Sequence, residues 1–242
     1  MNTRSLVDPL ALLLAVILVQ IFYSAWVAPN LMNTYDSGVA LIIKDLEQQI
    51  CITLLVWGLF LTGREALFLE SHGYIYDVDL LKDEEVTADS SASLLNAVDK
   101  LPLTIQDTPL VKVMAAALRR FALTGDVQSS AASIEPALES IALEGEGRLT
   151  VLRYIAWAIP SIGFIGTVRG IGQAMTQADL AVAGDIGPMT SSLGLAFNST
   201  FVALVISIFM MLAIALLQRK QDNQLIKIQY YVETYMIKRI VA

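Results

Sequence analysis

The stretch IGFIGTVRGIGQ, Ile162–Gln173, lies inside an apolar run from roughly Leu152 to Ala178. That run is long enough to cross about 30 Å of hydrocarbon as a helix. In such a setting four glycines, a threonine and an arginine each need a physical reason. On a helix, Gly163, Gly166, Gly170 and Ala174 fall within a sector of about 80° at roughly 100° per residue. A face of small residues lets two backbones approach closely in lipid, where packing replaces the hydrophobic drive. These four positions are therefore assigned to helix packing. Thr167 borders that face, and the simplest role for its hydroxyl is a bond to the carbonyl one turn back. Pro160 removes one backbone hydrogen bond and is expected to kink the helix. Arg169 projects roughly 200° away from Thr167. An arginine at mid-membrane costs on the order of 3 kcal/mol. Nearer the outer end, Arg169 is expected to snorkel toward Asp179 or Asp185 or to serve a subunit interface. A fixed cation in an ion path would repel cations.

The next apolar run, roughly Thr190–Leu217, repeats the pattern. Ala196, Thr200, Ala203 and Ser207 share one face, with Ala196 and Ala203 as further packing positions. Asn198 and Ser199 lie off that face and suit interhelical hydrogen bonding. Each of the two spans thus carries a threonine amid small residues, and neither carries a carboxylate. A membrane ion path generally needs an ionisable group. If the chain conducts protons or sodium, the carboxylate must come from another protein.

Two further spans precede these. Pro9–Ala28 has no charge at all, and Gln48–Gly63 is the uncharged stretch between Glu47 and Arg64, with a possible extension back through VALIIKDLEQQI. The start of the chain resembles a signal peptide in its first charges, but no small-x-small site follows cleanly, so the segment reads as a retained helix. The composition agrees: 55% of the 242 residues are hydrophobic and 16% charged, with mean hydropathy +0.61, too apolar for an ordinary soluble domain. Basic residues orient the spans. Arg4, the segment 64–153 and the tail after Leu217 hold nearly all of them, whereas QADLAVAGDIGP has none. Four crossings put every basic cluster on one side, so both termini are expected in the cytoplasm.

The expected architecture is all-α. It has two N-terminal transmembrane helices (1–63), a cytoplasmic helical segment (64–150), two C-terminal transmembrane helices (151–217) and a cytoplasmic C-terminal helix (218–242). YDVDLLKDEEVTADS reads as a solvated acidic face or loop. PLVKVMAAALRRFAL has a helical apolar period, with Pro109 as a start and Gly125 as a stop. Ser129 or Ser130 is a candidate cap for a following helix, with Pro136 in its first turns, which runs into the third span as one rod. In the tail, Leu225, Ile228, Val232 and Tyr235 form a stripe for packing on a partner helix.

Several function classes drop out. A net charge of −7 argues against nucleic-acid binding. The single Cys51 and single His72 exclude an intramolecular disulfide and cysteine- or histidine-cluster metal sites. Cys51 reads as a buried small residue. No nucleophile–base pair or phosphate loop is present, so an enzyme is not expected, nor is a cofactor beyond a transported H+ or Na+. A secondary transporter would want broken helices and an inverted repeat, and neither stands out.

AIPSIGFIGTVRGIGQAM resembles the penultimate-span motif of the MotA/TolQ/ExbB proton-channel family, Pro-x-Leu-Gly-Leu-x-Gly-Thr-Val-x-Gly. LGLAFNSTFVALVISI resembles the family's last-span motif, small-x-x-x-Thr-x-x-Gly/Ala-Leu. The resemblance covers about 145–217. It implies an inner-membrane energy-converting unit, a pentamer around a dimer of MotB/TolR/ExbD-like single-span partners whose aspartate carries the ion. It also implies that Thr167 and Thr200 line the path, with Ser207 on the same stripe, and that Pro160 marks the family's kink. The chain departs from the pattern in several places. Four spans match the MotA layout, while Gly-Thr-Val is closer to TolQ and ExbB. Leu195 replaces an ExbB-type glutamate, Ala213 stands where MotA has proline, and Arg169 replaces an apolar or aromatic residue. The subfamily and the driven process stay open. A partner-free oligomeric membrane scaffold is the alternative, since small-residue faces serve it equally well.

Overall fold

A computed structural model describes residues 9–32, 38–71, 73 and 88–239. Among these residues four helices are long and apolar enough to cross a membrane, within Pro9–Leu31, Leu46–Ser71, Val127–Thr176 and Gly187–Met236. The first is α1 (Pro9–Phe22), continued by a π-turn at Tyr23–Val27 and by α2 (Ala28–Met32). After α3 (Gly38–Ile42), α4 (Leu46–Ser71) forms the second. The expected extension of this span back through VALIIKDLEQQI is corrected. The helix breaks at residues 43–45, where the Gln48 side chain accepts a hydrogen bond from the Asp45 backbone N–H at 2.7 Å. It runs forward instead, past Arg64 to Ser71.

The remaining elements are α5 (Ala88–Asp99), α6 (Leu103–Gln106), α7 (Pro109–Thr124), α8 (Val127–Ala132), α9 (Ile134–Thr176), α10 (Ala178–Val182) and α11 (Gly187–Tyr231). A π-turn at Val232–Met236 and a short 3₁₀ turn at Ile237–Arg239 follow. The expectations for His72 and for most of the acidic stretch 76–90 fall outside the described residues. Gly145, Gly147 and Pro160 all lie inside the unbroken 43 residues of α9.

The chain divides into two compact units, Met1–Arg64 with Leu149–Leu216, and Glu65–Arg148 with Leu217–Ala242. In the first, α1 packs on α3 and α4 through Val19, Tyr23, Val27 and Ala40, with Ile52 and Val56 against them. The Tyr23 hydroxyl donates to the Ile43 carbonyl at 2.6 Å, and Gln49 Nε2 donates to Gln20 Oε1 at 2.6 Å. Cys51 is fully buried, its thiol 3.5 Å from the Ile159 carbonyl. Gly58 lies against Met210, so α4 also meets α11. Large apolar side chains such as Leu13, Ile17, Phe164, Phe201 and Ile208 point outward, as a lipid-facing surface requires.

In the second unit α7 supplies the core: Leu110, Val113, Met114, Ala117, Leu118 and Phe121 pack with Ile134, Ile228, Tyr231, Val232 and Met236. Three of the four stripe residues in the tail thus find their partner helix within the same chain: Ile228 and Val232 are fully buried and Tyr235 packs at the margin, while Leu225 is half-buried outside this core. Pro109 opens α7 and Gly125, at φ 62°, ends it in the left-handed region that favours glycine. The expected cap of the long rod at Ser129 or Ser130 is corrected: both lie inside a separate short helix, α8, and α9 begins only at Ile134. Asp126 caps α8, accepting from the backbone N–H of Ser129 at 2.8 Å and of Gln128 at 3.3 Å, because it is the residue with extended backbone just before the helix. Ser130 is buried and donates to the Ala117 carbonyl at 2.8 Å. Pro136 lies in the first turn of α9. Hydrogen bonds to Asp126, those from Ser129 foremost, hold its carboxyl below the ordinary value.

Candidate functional site

The site is the seam between α9 and α11. Gly163, Gly166, Gly170 and Ala174 are all buried there, as are Ala196, Ser199 and Ala203. The fit is backbone to backbone. A Cβ on Gly170 would sit 2.6 Å from Ala196 Cβ and 2.9 Å from its Cα. One on Gly166 would sit 2.7 Å from Ser199 Cβ, and one on Gly163 would collide with Ala203 Cβ and lie 3.0 Å from the Ser199 carbonyl. Only glycine allows this approach in either helix's present position.

The seam brings Thr167 and Thr200 into hydroxyl-to-hydroxyl contact. Their other bonds are reciprocal. The Thr167 hydroxyl lies 3.0 Å from the Ala196 carbonyl of α11, and the Thr200 hydroxyl lies 3.1 Å from the Gly163 carbonyl of α9. The Thr167 hydroxyl is also 3.3 Å from Gly163 O, the one-turn-back bond of a lone membrane threonine. Two hydroxyl protons thus have several acceptors across the seam, so either hydroxyl can donate to the other or to a carbonyl. Both threonines are half-buried, which leaves the pair reachable from outside the helix pair.

Ser207 is not brought to this pair: it is buried and donates to the Leu204 carbonyl of its own helix at 2.9 Å. Pro160 lies in α9 with no N–H for the Ala156 carbonyl. Arg169 reaches neither Asp179 nor Asp185. Its Nη2 lies 2.9 Å from Glu47 Oε2, an ion pair rather than a well-directed hydrogen bond to that oxygen. Asp185 is engaged elsewhere, accepting from the Gly187 N–H at 3.2 Å at the start of α11.

Two residues of the site, Glu47 and Gln48, are not marked by the sequence, whereas Ser199 hydrogen-bonds between helices as expected. Glu47 is 7% exposed and lies against Gly166; Gln48 is fully buried and donates from Nε2 to Ser199 Oγ at 3.3 Å. Ser199 is buried in the seam itself while bonding across helices. The available signal was DLEQQI. Adjacent polar side chains at the head of an apolar helix need partners if they are buried, but the sequence does not say on which helix.

Four apolar helices, two of them meeting along glycines with a hydroxyl pair between them, define a multi-pass helical membrane protein. The chain belongs to the MotA/TolQ/ExbB proton channel family, whose family model matches residues 105–230 and so contains the whole α9–α11 seam. No curated protein and no solved structure matches the chain significantly. Membership makes it an ion-channel stator-type subunit of a bacterial inner-membrane family, not an enzyme, and implies association with MotB/TolR/ExbD-type partners.

Proposed function

We propose that the chain is the channel-forming subunit of an inner-membrane motor that couples proton or sodium flow to mechanical work. In this reading five copies surround a dimer of a single-span partner, and the partner's intramembrane aspartate carries the ion past Thr167 and Thr200. The observation that carries it is the Thr167–Thr200 contact on a seam to which α9 and α11 bring no carboxylate within their spans. A pair of hydroxyls can solvate a passing cation or a protonated carboxyl, accepting or donating as needed. It cannot hold the ion by charge, which leaves that task to a partner. One elementary charge moving down about 100 mV releases roughly 2.3 kcal/mol, and repeated steps drive the motion of one ring of subunits against the other. Pro160, which leaves the Ala156 carbonyl without its helical donor, is assigned to the inner half of the path, and Ser207 is a hydroxyl farther along the same stripe.

The test uses the full chain expressed with the single-span protein that co-purifies with it. A hydroxyl contact to a charged group is worth about 1.5–3 kcal/mol. Thr167→Val and Thr200→Val are therefore expected to preserve the assembly and to slow ion entry roughly ten- to a hundredfold, read with a fluorescent reporter of cytoplasmic pH or sodium. Normal ion entry in both variants, or a stable assembly with no carboxylate-bearing single-span protein, would remove this reading in favour of the partner-free scaffold.

A further inference from the structure

We propose that the Glu47–Arg169 ion pair is a positioning device: it locks the head of α4 to α9 on the side of the seam away from the hydroxyls, and so holds α9 in the rotation that sets Thr167 against Thr200. The proposal rests on the threonines as the ion path, and Glu47 lies outside the stretch 105–230 that identifies the family.

Three observations converge. First, adjacent side chains of α4 grip both seam helices: Glu47 pairs with Arg169 of α9 at 2.9 Å, and Gln48 bonds to Ser199 of α11 at 3.3 Å. Second, those grips fall on residues that adjoin the two threonines along their own helices. A Cβ on Gly166, the neighbour of Thr167, would lie 3.3 Å from Glu47 Cγ, and Ser199 is the neighbour of Thr200. Third, Arg169 leaves α9 roughly 200° from Thr167, so a tether on one fixes the azimuth of the other.

The pair is also asymmetric. The Glu47 side chain is 10% exposed and that of Arg169 45%. Removing the arginine strands a buried carboxylate, whereas removing both charges strands nothing. The other titratable groups near Glu47 are Cys51 and Asp45 from its own stretch and Tyr23 beside them; α11 faces it with the uncharged Ser199.

The experiment reads geometry separately from ion flow. In the full chain with Cys51→Ser, Thr167→Cys and Thr200→Cys report the contact through the rate of oxidative disulfide formation in membranes, scored by maleimide–polyethylene glycol gel shift. Arg169→Ala is expected to slow the reaction several-fold, Arg169→Lys to leave it near the parent rate, and Glu47→Gln with Arg169→Ala, which strands no charge but has no tether, to stay slow. If Arg169→Ala alone does not accumulate, the double variant decides: a slowed disulfide rate in a chain that accumulates supports the lock, and the parent rate overturns it. An unchanged rate in Arg169→Ala also overturns it. If the disulfide rates follow the expectation while Thr167→Val and Thr200→Val conduct normally, the lock stands and the ion-path reading falls. If the rates are all equal while those valine variants lose conduction, the reverse holds.

Discussion

Gly170 and Gly172 sit two residues apart on α9, and an added methyl group meets opposite surroundings at the two. At Gly170 it would press on the backbone and Cβ of Ala196, atoms that cannot move without separating the helices. At Gly172 nothing lies within 4 Å. Gly170→Ala is expected to lose about 1–3 kcal/mol through overpacking, and Gly172→Ala to be neutral or to gain up to about 1 kcal/mol in helix propensity. Thermal unfolding of the full chain in detergent would show a lowered midpoint for the first variant and none for the second. Equal effects would mean that the seam does not depend on the close approach at Gly170. The small-residue face was readable from spacing alone. That it receives Ala196, Ser199 and Ala203, and that Gly172 stands apart from it, required the neighbouring helix.

At the scale of elements, the join between α7 and α8 is set by two adjacent residues. Gly125 supplies the left-handed turn that ends α7, and Asp126 caps α8. Because hydrogen bonding depresses the Asp126 carboxyl in the folded chain, the cap stabilises fully above the unfolded value near 3.9. That contribution is lost as pH falls through the lower folded value. Asp126→Ala is therefore expected to unfold more easily than the parent at neutral pH, with the gap closing as pH falls through the acid range. Thermal unfolding across that range checks it, and a gap independent of pH would contradict the cap. Pro109 and Gly125 as helix bounds were legible because their backbone chemistry is local. The short helix α8 and its Asp126 cap were not legible: Ser129 and Ser130 read as the start of the following rod, and only backbone geometry shows a separate turn of helix there.

For the whole molecule, the distribution of basic residues makes a topological prediction. With four crossings, the N-terminus, the C-terminus and exposed positions of the second unit such as Leu123 share the cytoplasmic side. A membrane-impermeant maleimide is expected to label Leu123→Cys only after the membrane is opened, and Val182→Cys, at the end of α10 just before the turn at Gly184, in intact spheroplasts. Labelling of both from outside would refute the arrangement.

Hydropathy and helical spacing reveal four apolar helices, the small-residue faces of the last two and the threonine on each, because these depend on residues a few positions apart. The pairing of Glu47 with Arg169 and of Gln48 with Ser199 is different in kind. It joins residues more than a hundred positions apart, and the favoured acceptors for Arg169, Asp179 and Asp185, were chosen by nearness along the chain. The fold brought Glu47 closer because α4 packs on the glycine seam, where a buried charge and a buried amide had to find partners. Periodicity along one helix specifies which face is small; which helix covers that face, and which polar groups it carries there, is specified by packing between distant segments.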